Sequence, residues 1–331
     1  MDFTKVSAPE PHRERRRRLL QQHPEIRKLY GWDWRPAAIT IGVVALQFSL
    51  AAWVQRLAAR GLAGFRLFGI EAAVALLVGA VLAHWAGVVI HEASHNLCAA
   101  TPGLNRLVAI FGNLHVPVPA AMSFFRYHLD HHAYMGMEGL DNDLATRIER
   151  DFFSRGPLRK LVWIAIYPFF MAFGRGFWRP LSRWELYGAA LQVSVDLAVL
   201  QWLGPAALGY LFLSMAFGYG LHPVAGHFIH EHYLWNENQE TYSYYGLLNA
   251  VTWNIGYHNE HHDFVRVPGA RLPALRRIAA GEYDRLVSHR SWMGVYWTFI
   301  RTKRLGHHSR MVRDRGTLGT GRAPGELGWR A

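Results

Sequence analysis

The sequence predicts an all-α integral membrane protein with about four transmembrane helices and a helical cap on the cytosolic side. Three features predict this fold class: long apolar segments with at most one charged residue each, a run of arginines before the first of them, and histidine clusters just beyond their ends. A helix needs roughly 20 apolar residues to cross a bilayer core about 30 Å thick, and a soluble core does not need segments of that length. The apolar segments therefore favour a membrane protein over a soluble one.

The boundaries of the apolar segments define four predicted spans. The first two segments are separated by the polar stretch QRLAARGLAGFR. The later segment, 186–221, is long enough for two crossings, and Gly204-Pro205 interrupts it in a way that is typical of a tight turn. The predicted spans are 37–55, 66–90, 185–203 and 206–222.

The segments on either side of the membrane domain are basic. Residues 1–36 form a predicted cytosolic segment with RERRRR at 13–18, and residues 304–331 form a predicted basic tail after a membrane domain at 37–303. Arginines beside a first span keep that flank in the cytosol, and anionic lipids attract them. The first span begins too far into the chain for a secretory signal peptide. With this orientation, all histidine clusters lie on the cytosolic side.

Two further apolar segments, 107–121 and 161–178, are interrupted by proline. Their neighbouring Trp, Tyr and Arg residues favour the headgroup region of a bilayer. We therefore predict that both segments lie at the interface or line the core rather than cross the membrane.

Histidines recur at helical spacing in three clusters. HEASH places two of them four positions apart, whereas RYHLDHHAYMG and GYHNEHHDF each contain three at i, i+3 and i+4. Residues with these spacings share one face of a helix. Imidazole is a good ligand for first-row metals, and eight histidines exceed the four ligands that one zinc ion usually takes, so the count indicates two metal ions. The eight are His91, His95, His128, His131, His132, His258, His261 and His262.

Carboxylates lie beside these histidines in the sequence. A carboxylate that accepts the second ring N–H of a metal-bound histidine fixes the tautomer of that ring. The candidates for this role are Glu92, Asp130, Glu231, Glu260 and Asp263. Isolated histidines are expected to be ordinary, partly buried side chains, as for His84, His115 and His289.

Composition argues against several other classes of protein. The net charge of +12 is compatible with nucleic acid binding, but no zinc-finger or RNA-recognition pattern accompanies the arginines, so no nucleic acid partner is predicted. The one cysteine, Cys98, excludes both an internal disulfide and a thiolate cluster. A membrane metal-binding or transport protein is the non-enzyme alternative. Transport would place metal ligands inside the spans, whereas these clusters lie at span ends.

The three clusters resemble the HxxxH, HxxHH and HxxHH boxes of the membrane fatty acid desaturase and hydroxylase superfamily. Within it, RYHLDHHAYMG, LHPVAGHFIHEHY, ETYSYYGLLN and NIGYHNEHHDFVRVPG are similar to the sphingolipid Δ4-desaturase branch, as is PHRERRRRLLQQHPEIRKLYG near the N-terminus. The resemblance extends from about residue 11 to about residue 314. The boxes are shared across the superfamily, whereas ETYSYYG and the flanks of the last box are specific to the branch.

The resemblance implies that the cap carries a di-iron site with nine histidine ligands, two Fe²⁺ ions and O₂ as co-substrate. Eight ligands are the box histidines. The ninth is expected in GHFIHEHY, where the resemblance favours His232, with His227 as second choice. His230 is expected to be an additional histidine of this chain that is not a ligand.

The electrons must come from outside the chain, because it has no dinucleotide-binding or haem-attachment motif. The resemblance implies a cytochrome b5-like or ferredoxin-like donor. The basic segment RTKRLGHHSRMVRDR, 301–315, is a candidate surface for an acidic donor, and a lipid headgroup is an equal alternative.

The resemblance further implies an oxidoreductase that introduces the trans C4–C5 double bond into dihydroceramide to give ceramide. C4 lies only a few carbons from the polar head, so a headgroup at the interface would bring it close to irons at the cytosolic boundary. Candidates for headgroup binding are Tyr242, Tyr244 and Tyr245, for which simple interfacial anchoring is the alternative role. The boxes do not distinguish this reaction from C4-hydroxylation of the sphingoid base or from desaturation of an acyl lipid. The expected location is the inner membrane in a bacterium and the endoplasmic reticulum in a eukaryote.

Overall fold

Helices account for most of the computed structural model, which describes residues 1–170 and 180–314. In this part of the chain the helices are α1 (Pro11–Gln22), α2 (Arg35–Ala59), α3 (Gly64–Ser94), α4 (Pro102–Asn113), α5 (Ala121–Tyr134), α6 (Pro157–Phe169), α7 (Arg183–Leu203), α8 (Pro205–Leu221), α9 (His227–His230), α10 (His258–Asp263), α11 (Leu272–Ile278), α12 (Ala280–Tyr283) and α13 (Trp292–Arg301). Shorter helical turns lie at Pro24–Leu29, Glu149–Phe153, Pro223–Gly226, Leu247–Ala250 and Gly269–Arg271.

Four two-residue strands form two parallel pairs. β1 (Thr4–Lys5) pairs with β4 (Met311–Val312), so the two ends of the described chain meet. β2 (Ser243–Tyr244) pairs with β3 (Ser288–His289), which joins the segments before and after α10. Both pairs join segments that are distant in the sequence.

Three helices of the described chain, α2, α3 and α7, are long and apolar enough to cross a membrane. They correspond to the first three predicted spans, and each begins two residues earlier than predicted. The fourth predicted span corresponds to α8, which is shorter. At 1.5 Å per residue, α8 is about 26 Å long, less than the roughly 30 Å of a bilayer core. The fourth crossing therefore stays a prediction.

Local sequence signals set the boundary between α7 and α8. At the start of α7, the Ser182 hydroxyl accepts the N–H of Glu185 at 3.3 Å, and the Glu185 carboxylate accepts the N–H of Ser182 at 2.7 Å. This reciprocal pair is a capping box. At the end of α7, Gly204 has a φ of 112°, which favours glycine, and Pro205 begins α8. The predicted break at Gly204-Pro205 is confirmed.

α8 packs closely against α2 and α3. The hydroxyl of Tyr210 donates to the side-chain oxygen of Gln47 at 3.3 Å. A Cβ on Gly218 would lie 2.4 Å from the backbone oxygen of Ala80. Because glycine has no side chain there, the two helix backbones can approach each other.

Two helices outside the spans expose an apolar face. An exposed apolar face is typical of a helix that lies in the plane of a membrane interface, and this placement stays a prediction for both. The first predicted interfacial segment, 107–121, includes the second half of α4. The second, 161–178, includes most of α6, and its residues 171–178 lie outside the described residues. The exposed apolar side chains are Leu104, Leu107 and Phe111 on α4 and Leu158, Leu161 and Val162 on α6.

The predicted basic tail is partly internal. Arg310 donates to Asp143 at 2.8 Å, Arg313 donates to Glu240 at 2.8 Å, and both arginines are buried. Each buried guanidinium is balanced by a carboxylate, as a buried charge requires. Much of the candidate docking segment 301–315 is therefore committed to the fold, and the rest of the tail lies outside the described residues.

Candidate metal centre

Nine histidines come together from four parts of the chain. These parts are the ends of α3 and α5, the short helix α10 and the residue pair after α9. The i, i+3 and i+4 spacing directs the three histidines of α5 to one side of that helix, and the same holds for α10. Seven of the nine side chains are buried, and the other two are partly buried. The nine are His91, His95, His128, His131, His132, His232, His258, His261 and His262.

Five of these residues form what we call the first histidine cluster. One nitrogen of each ring lies within 4.8 Å of the corresponding nitrogen of the others. The Nε2–Nε2 distances are 2.9 Å for His95 and His128, 3.1 Å for His128 and His132, and 3.1 Å for His132 and His261. The members are His91, His95, His128, His132 and His261.

The remaining four residues form the second histidine cluster. Ring nitrogens of His131, His232 and His262 lie within 4.8 Å of one another. The Nε2 of His232 is 3.0 Å from the Nε2 of His131 and 2.8 Å from the Nε2 of His258. His232, the favoured ninth ligand, therefore lies in the middle of this cluster.

The facing nitrogens fit metal ions better than hydrogen bonds. A hydrogen bond between two imidazoles uses the N–H of one ring and the nitrogen lone pair of the other. The Nε2 atoms of His128 and His232 each face two other Nε2 atoms, so neither can form good hydrogen bonds to both of them. Two imidazoles bound to one ion at about 2.1 Å and at right angles have nitrogens roughly 3 Å apart. The Nε2 of His262 is buried without a hydrogen-bond partner among the described residues. Burial lowers the pKa of His128 and His261 well below the usual range, which favours the neutral, ligating form.

Two carboxylates lie behind rings of the second cluster. The Nδ1 of His131 bonds to the buried carboxylate of Asp141 at 2.9 Å, and the Nδ1 of His258 is 3.4 Å from the carboxylate of Glu231. These contacts leave each Nε2 to face the metal position. Burial opposes the charged form of His131, but the Asp141 carboxylate raises the pKa of His131. Burial raises the pKa of Glu231 well above its usual range.

The other predicted carboxylates contact different groups. Glu92 accepts the N–H of Gly269 at 3.0 Å and lies 3.9 Å from the Nδ1 of His91. Asp263 lies 2.7 Å from the Nδ1 of His12. Asp130 is partly exposed on α5.

Glu260, Tyr242 and Tyr244 are buried, and Tyr245 is partly buried beside Glu260. Glu260 accepts the hydroxyl of Tyr245 at 2.6 Å. Tyr242 is fully buried and bonds to the backbone of residue 236, while the ring of Tyr244 stacks on Trp292 with centroids 4.1 Å apart. These contacts hold the segment that precedes α10, and a role in headgroup binding stays a prediction.

The other two candidates for the ninth ligand lie outside both clusters. The ring of His227 packs against His84 with centroids 4.7 Å apart. The Nδ1 of His230 accepts the indole N–H of Trp292 at 3.2 Å. Of the three histidines in GHFIHEHY, only His232 has its ring in a cluster.

Comparison with known proteins identifies the family. The fatty acid desaturase family model matches residues 69–294, a range that includes all nine histidines, and the model for sphingolipid Delta4-desaturase matches residues 1–35. The chain is 40% identical over 320 residues to a sphingolipid delta(4)-desaturase DES1-like protein of Oryza sativa subsp. japonica, an alignment that covers 94% of this chain and 93% of the relative. The chain belongs to the sphingolipid Δ4-desaturase branch of the fatty acid desaturases.

Animal members of the sphingolipid Δ4-desaturase branch match equally well. The chain is 41% identical to the sphingolipid delta(4)-desaturase/C4-monooxygenase DES2 of Homo sapiens, over 94% of this chain and 95% of the relative. It is 40% identical to the sphingolipid delta(4)-desaturase DES1 of Bos taurus, with the same coverage. The predictions of the family and of an oxidoreductase are confirmed.

Two residues at the histidine clusters of this desaturase were missed in the sequence. Asp141 follows the second box in GLDNDLA, and a search for carboxylates within about ten residues of each box would have included it. His12 lies beside the arginine run, and its partner Asp263 is 251 positions away. No local pattern connects those two residues.

Proposed function

We propose that this desaturase holds one Fe²⁺ ion at each histidine cluster and uses O₂ to introduce the trans C4–C5 double bond into dihydroceramide, which gives ceramide. The observation that carries the proposal is the gathering of nine histidine rings into two clusters with facing nitrogens. The names of the relatives from Oryza sativa and Bos taurus supply the substrate class.

The donor set supports iron rather than zinc. The first cluster has five members, whereas zinc sites usually have four ligands. No thiolate contributes, because the one cysteine, Cys98, is buried with its sulfur facing the backbone oxygen of Val89. Imidazole suits iron, and zinc has no redox chemistry. Bound iron supplies the activation of O₂ that no side chain provides.

The electron balance requires a donor. Reduction of O₂ to two waters takes four electrons and four protons. The lipid provides two of each when one hydrogen leaves each of the two carbons. The other two electrons come from outside the chain and the other two protons from solvent, and the proposed electron donor is a cytochrome b5-like or ferredoxin-like protein.

The side chains around the clusters orient the rings. Asp141 holds the Nδ1 of His131, which fixes the direction of its Nε2, and Glu231 lies 3.4 Å from the Nδ1 of His258. A small cavity of about 10 Å³ touches His91 and His261, and its lining includes apolar side chains together with the polar Glu92 and Asn254. We propose that the reacting carbons approach the clusters from this side. The bordering apolar residues are Val88, Ile255 and Leu272.

C4-hydroxylation is the second candidate reaction. The relative from Homo sapiens is named a desaturase and C4-monooxygenase. Hydroxylation puts one oxygen atom of O₂ on C4 and the other in water, and it also takes two electrons from the donor. Both reactions begin with loss of hydrogen at the same region of the lipid, so the same clusters serve either outcome.

The test uses the purified, iron-loaded protein with a reductant, O₂ and dihydroceramide deuterated at C4 and C5. We expect ceramide that has lost one deuterium from each carbon, detected by mass spectrometry. A saturated acyl lipid labelled along its chain serves as competitor, and His132→Ala serves as the inactive control.

Each result has a defined meaning. Loss of label only from the acyl lipid would refute the sphingolipid assignment. A 4-hydroxylated product without alkene would replace the desaturase with the hydroxylase. Turnover by metal-free protein would refute the metal centre itself.

A further inference from the structure

The N-terminal helix α1 packs on α10, the helix of the last histidine box. The sequence suggested that its arginine run faces lipid, yet His12 and Arg15 are only 5% and 7% exposed. Both side chains point to α10 instead. The helix therefore covers the histidine clusters as well as carrying positive charge.

His12 is bonded at both ring nitrogens. Its Nδ1 lies 2.7 Å from a carboxylate oxygen of Asp263, and its Nε2 lies 3.1 Å from the hydroxyl of Thr241. The His12 ring also packs against that of His262, with centroids 4.9 Å apart. With both nitrogens bonded to protein groups, His12 is not a tenth ligand.

Arg15 contacts α10 at two points. Its guanidinium donates to the carboxylate of Asp263 at 3.4 Å and to the side-chain oxygen of Asn259 at 3.3 Å. Asp263 directly follows one box histidine and Asn259 directly follows another, so both ends of the helix are held. The hydroxyl of Tyr283 also donates to Asp263, at 3.0 Å.

We propose that His12 and Arg15 are positioning residues that hold the last histidine box in the orientation needed for metal binding. The inference rests on the proposed iron centre. α10 has only six residues, and so short a helix is not stable without contacts from outside. The contacts with α1 fall on its outer side, while its three histidines face the clusters. A shift of α10 would move ligands of both clusters together.

The experiment measures metal binding by the full-length protein after removal of metal. Co²⁺ is titrated into the protein, and its visible absorption reports the number and symmetry of the sites. His12→Phe keeps a ring against His262 but removes both polar contacts. We expect a roughly tenfold or greater loss of Co²⁺ affinity and an altered spectrum. Removal of a protein group that contacts a metal ligand typically lowers metal affinity by this amount. In the iron-loaded enzyme, kcat should fall while KM for the lipid stays unchanged.

Two further variants separate positioning from simple packing. His12→Asn retains a donor near Asp263, so we expect it to recover most of the affinity and the spectrum. Arg15→Gln should weaken binding in the same direction as His12→Phe. Arg17→Gln is the matched control, because Arg17 is 70% exposed and pairs with Glu14 on the same helix.

The outcomes distinguish this inference from the proposed function. Wild-type affinity and spectrum in His12→Phe would overturn the positioning role and leave the metal centre intact. Failure of the wild-type protein to bind two Co²⁺ ions would overturn the proposed centre. If His12→Phe does not fold, Arg15→Gln carries the test, and unchanged affinity in that variant overturns the inference.

Discussion

His230 and His232 lie two positions apart in GHFIHEHY, and their rings have different partners. His230 accepts the indole N–H of Trp292, whereas the Nε2 of His232 faces nitrogens of His131 and His258. At the scale of single residues, the direction of one nitrogen therefore distinguishes the proposed metal ligand from a histidine that supports the fold. Neither burial nor residue type does so, because both histidines are buried.

We expect His232→Ala to lower turnover by roughly a hundredfold or more and to release metal from the second cluster, since outer contacts cannot replace a lost ligand. His230→Ala is the matched control and should keep turnover within about a few-fold, because its ring accepts the indole N–H of Trp292 and belongs to neither cluster. Iron per chain and ceramide formation are measured for both variants. An inactive His230→Ala together with an active His232→Ala would reverse the assignment of the ninth ligand.

At the scale of elements, the position of α3 depends on how closely α8 crosses it. The Nδ1 of His84 on α3 lies 2.8 Å from the backbone oxygen of Gly218, and the same glycine faces the backbone of Ala80. Because α3 carries the first histidine box at its end, this crossing supports the position of two proposed ligands. The glycine is required for space rather than for an unusual φ.

We expect Gly218→Val to destabilise the protein by about 1–3 kcal/mol, because the added side chain would overlap the backbone of α3. Gly42→Val is the matched control on α2, where a Cβ meets no atom within 4 Å. Thermal unfolding in detergent measures the difference between the two variants. Equal unfolding temperatures would show that the close crossing contributes nothing to stability.

At the scale of the whole molecule, the histidine clusters and both ends of the described chain lie together. β1 pairs with β4, and the backbone oxygen of Ala8 accepts a bond from Arg313. The turn between α2 and α3 lies at the other end of those two helices. The basic flank before α2 predicts that the clusters lie on the cytosolic side.

Cysteine labelling tests this orientation. Cys98 is only 1% exposed, and Cys98→Ser provides a background without thiols. In that background, Ala63→Cys lies in the turn between α2 and α3, and Ser288→Cys follows the last histidine helix. In spheroplasts of a bacterial host, a membrane-impermeant maleimide should label Ala63→Cys directly and Ser288→Cys only after permeabilisation. Labelling of both from the outside would contradict the predicted topology.

The sequence by itself determined the three helices long enough to span a membrane, the break at Gly204-Pro205, eight box histidines as metal-ligand candidates and the family. These features are local. Bilayer thickness sets the length of an apolar segment, and helical periodicity sets the spacing of residues on one face. The length of an apolar segment and the spacing of residues on one helix face can both be read from a window of 20 residues or fewer.

Only the tertiary structure decided how the histidines divide between the two clusters. His131 and His132 are adjacent in the sequence, but successive helical residues point about 100° apart, and each ring joins a different cluster. Asp141 meets His131 through a loop, and His12 meets Asp263 across 251 positions. Such contacts depend on how distant segments pack against each other, and no local periodicity encodes that packing.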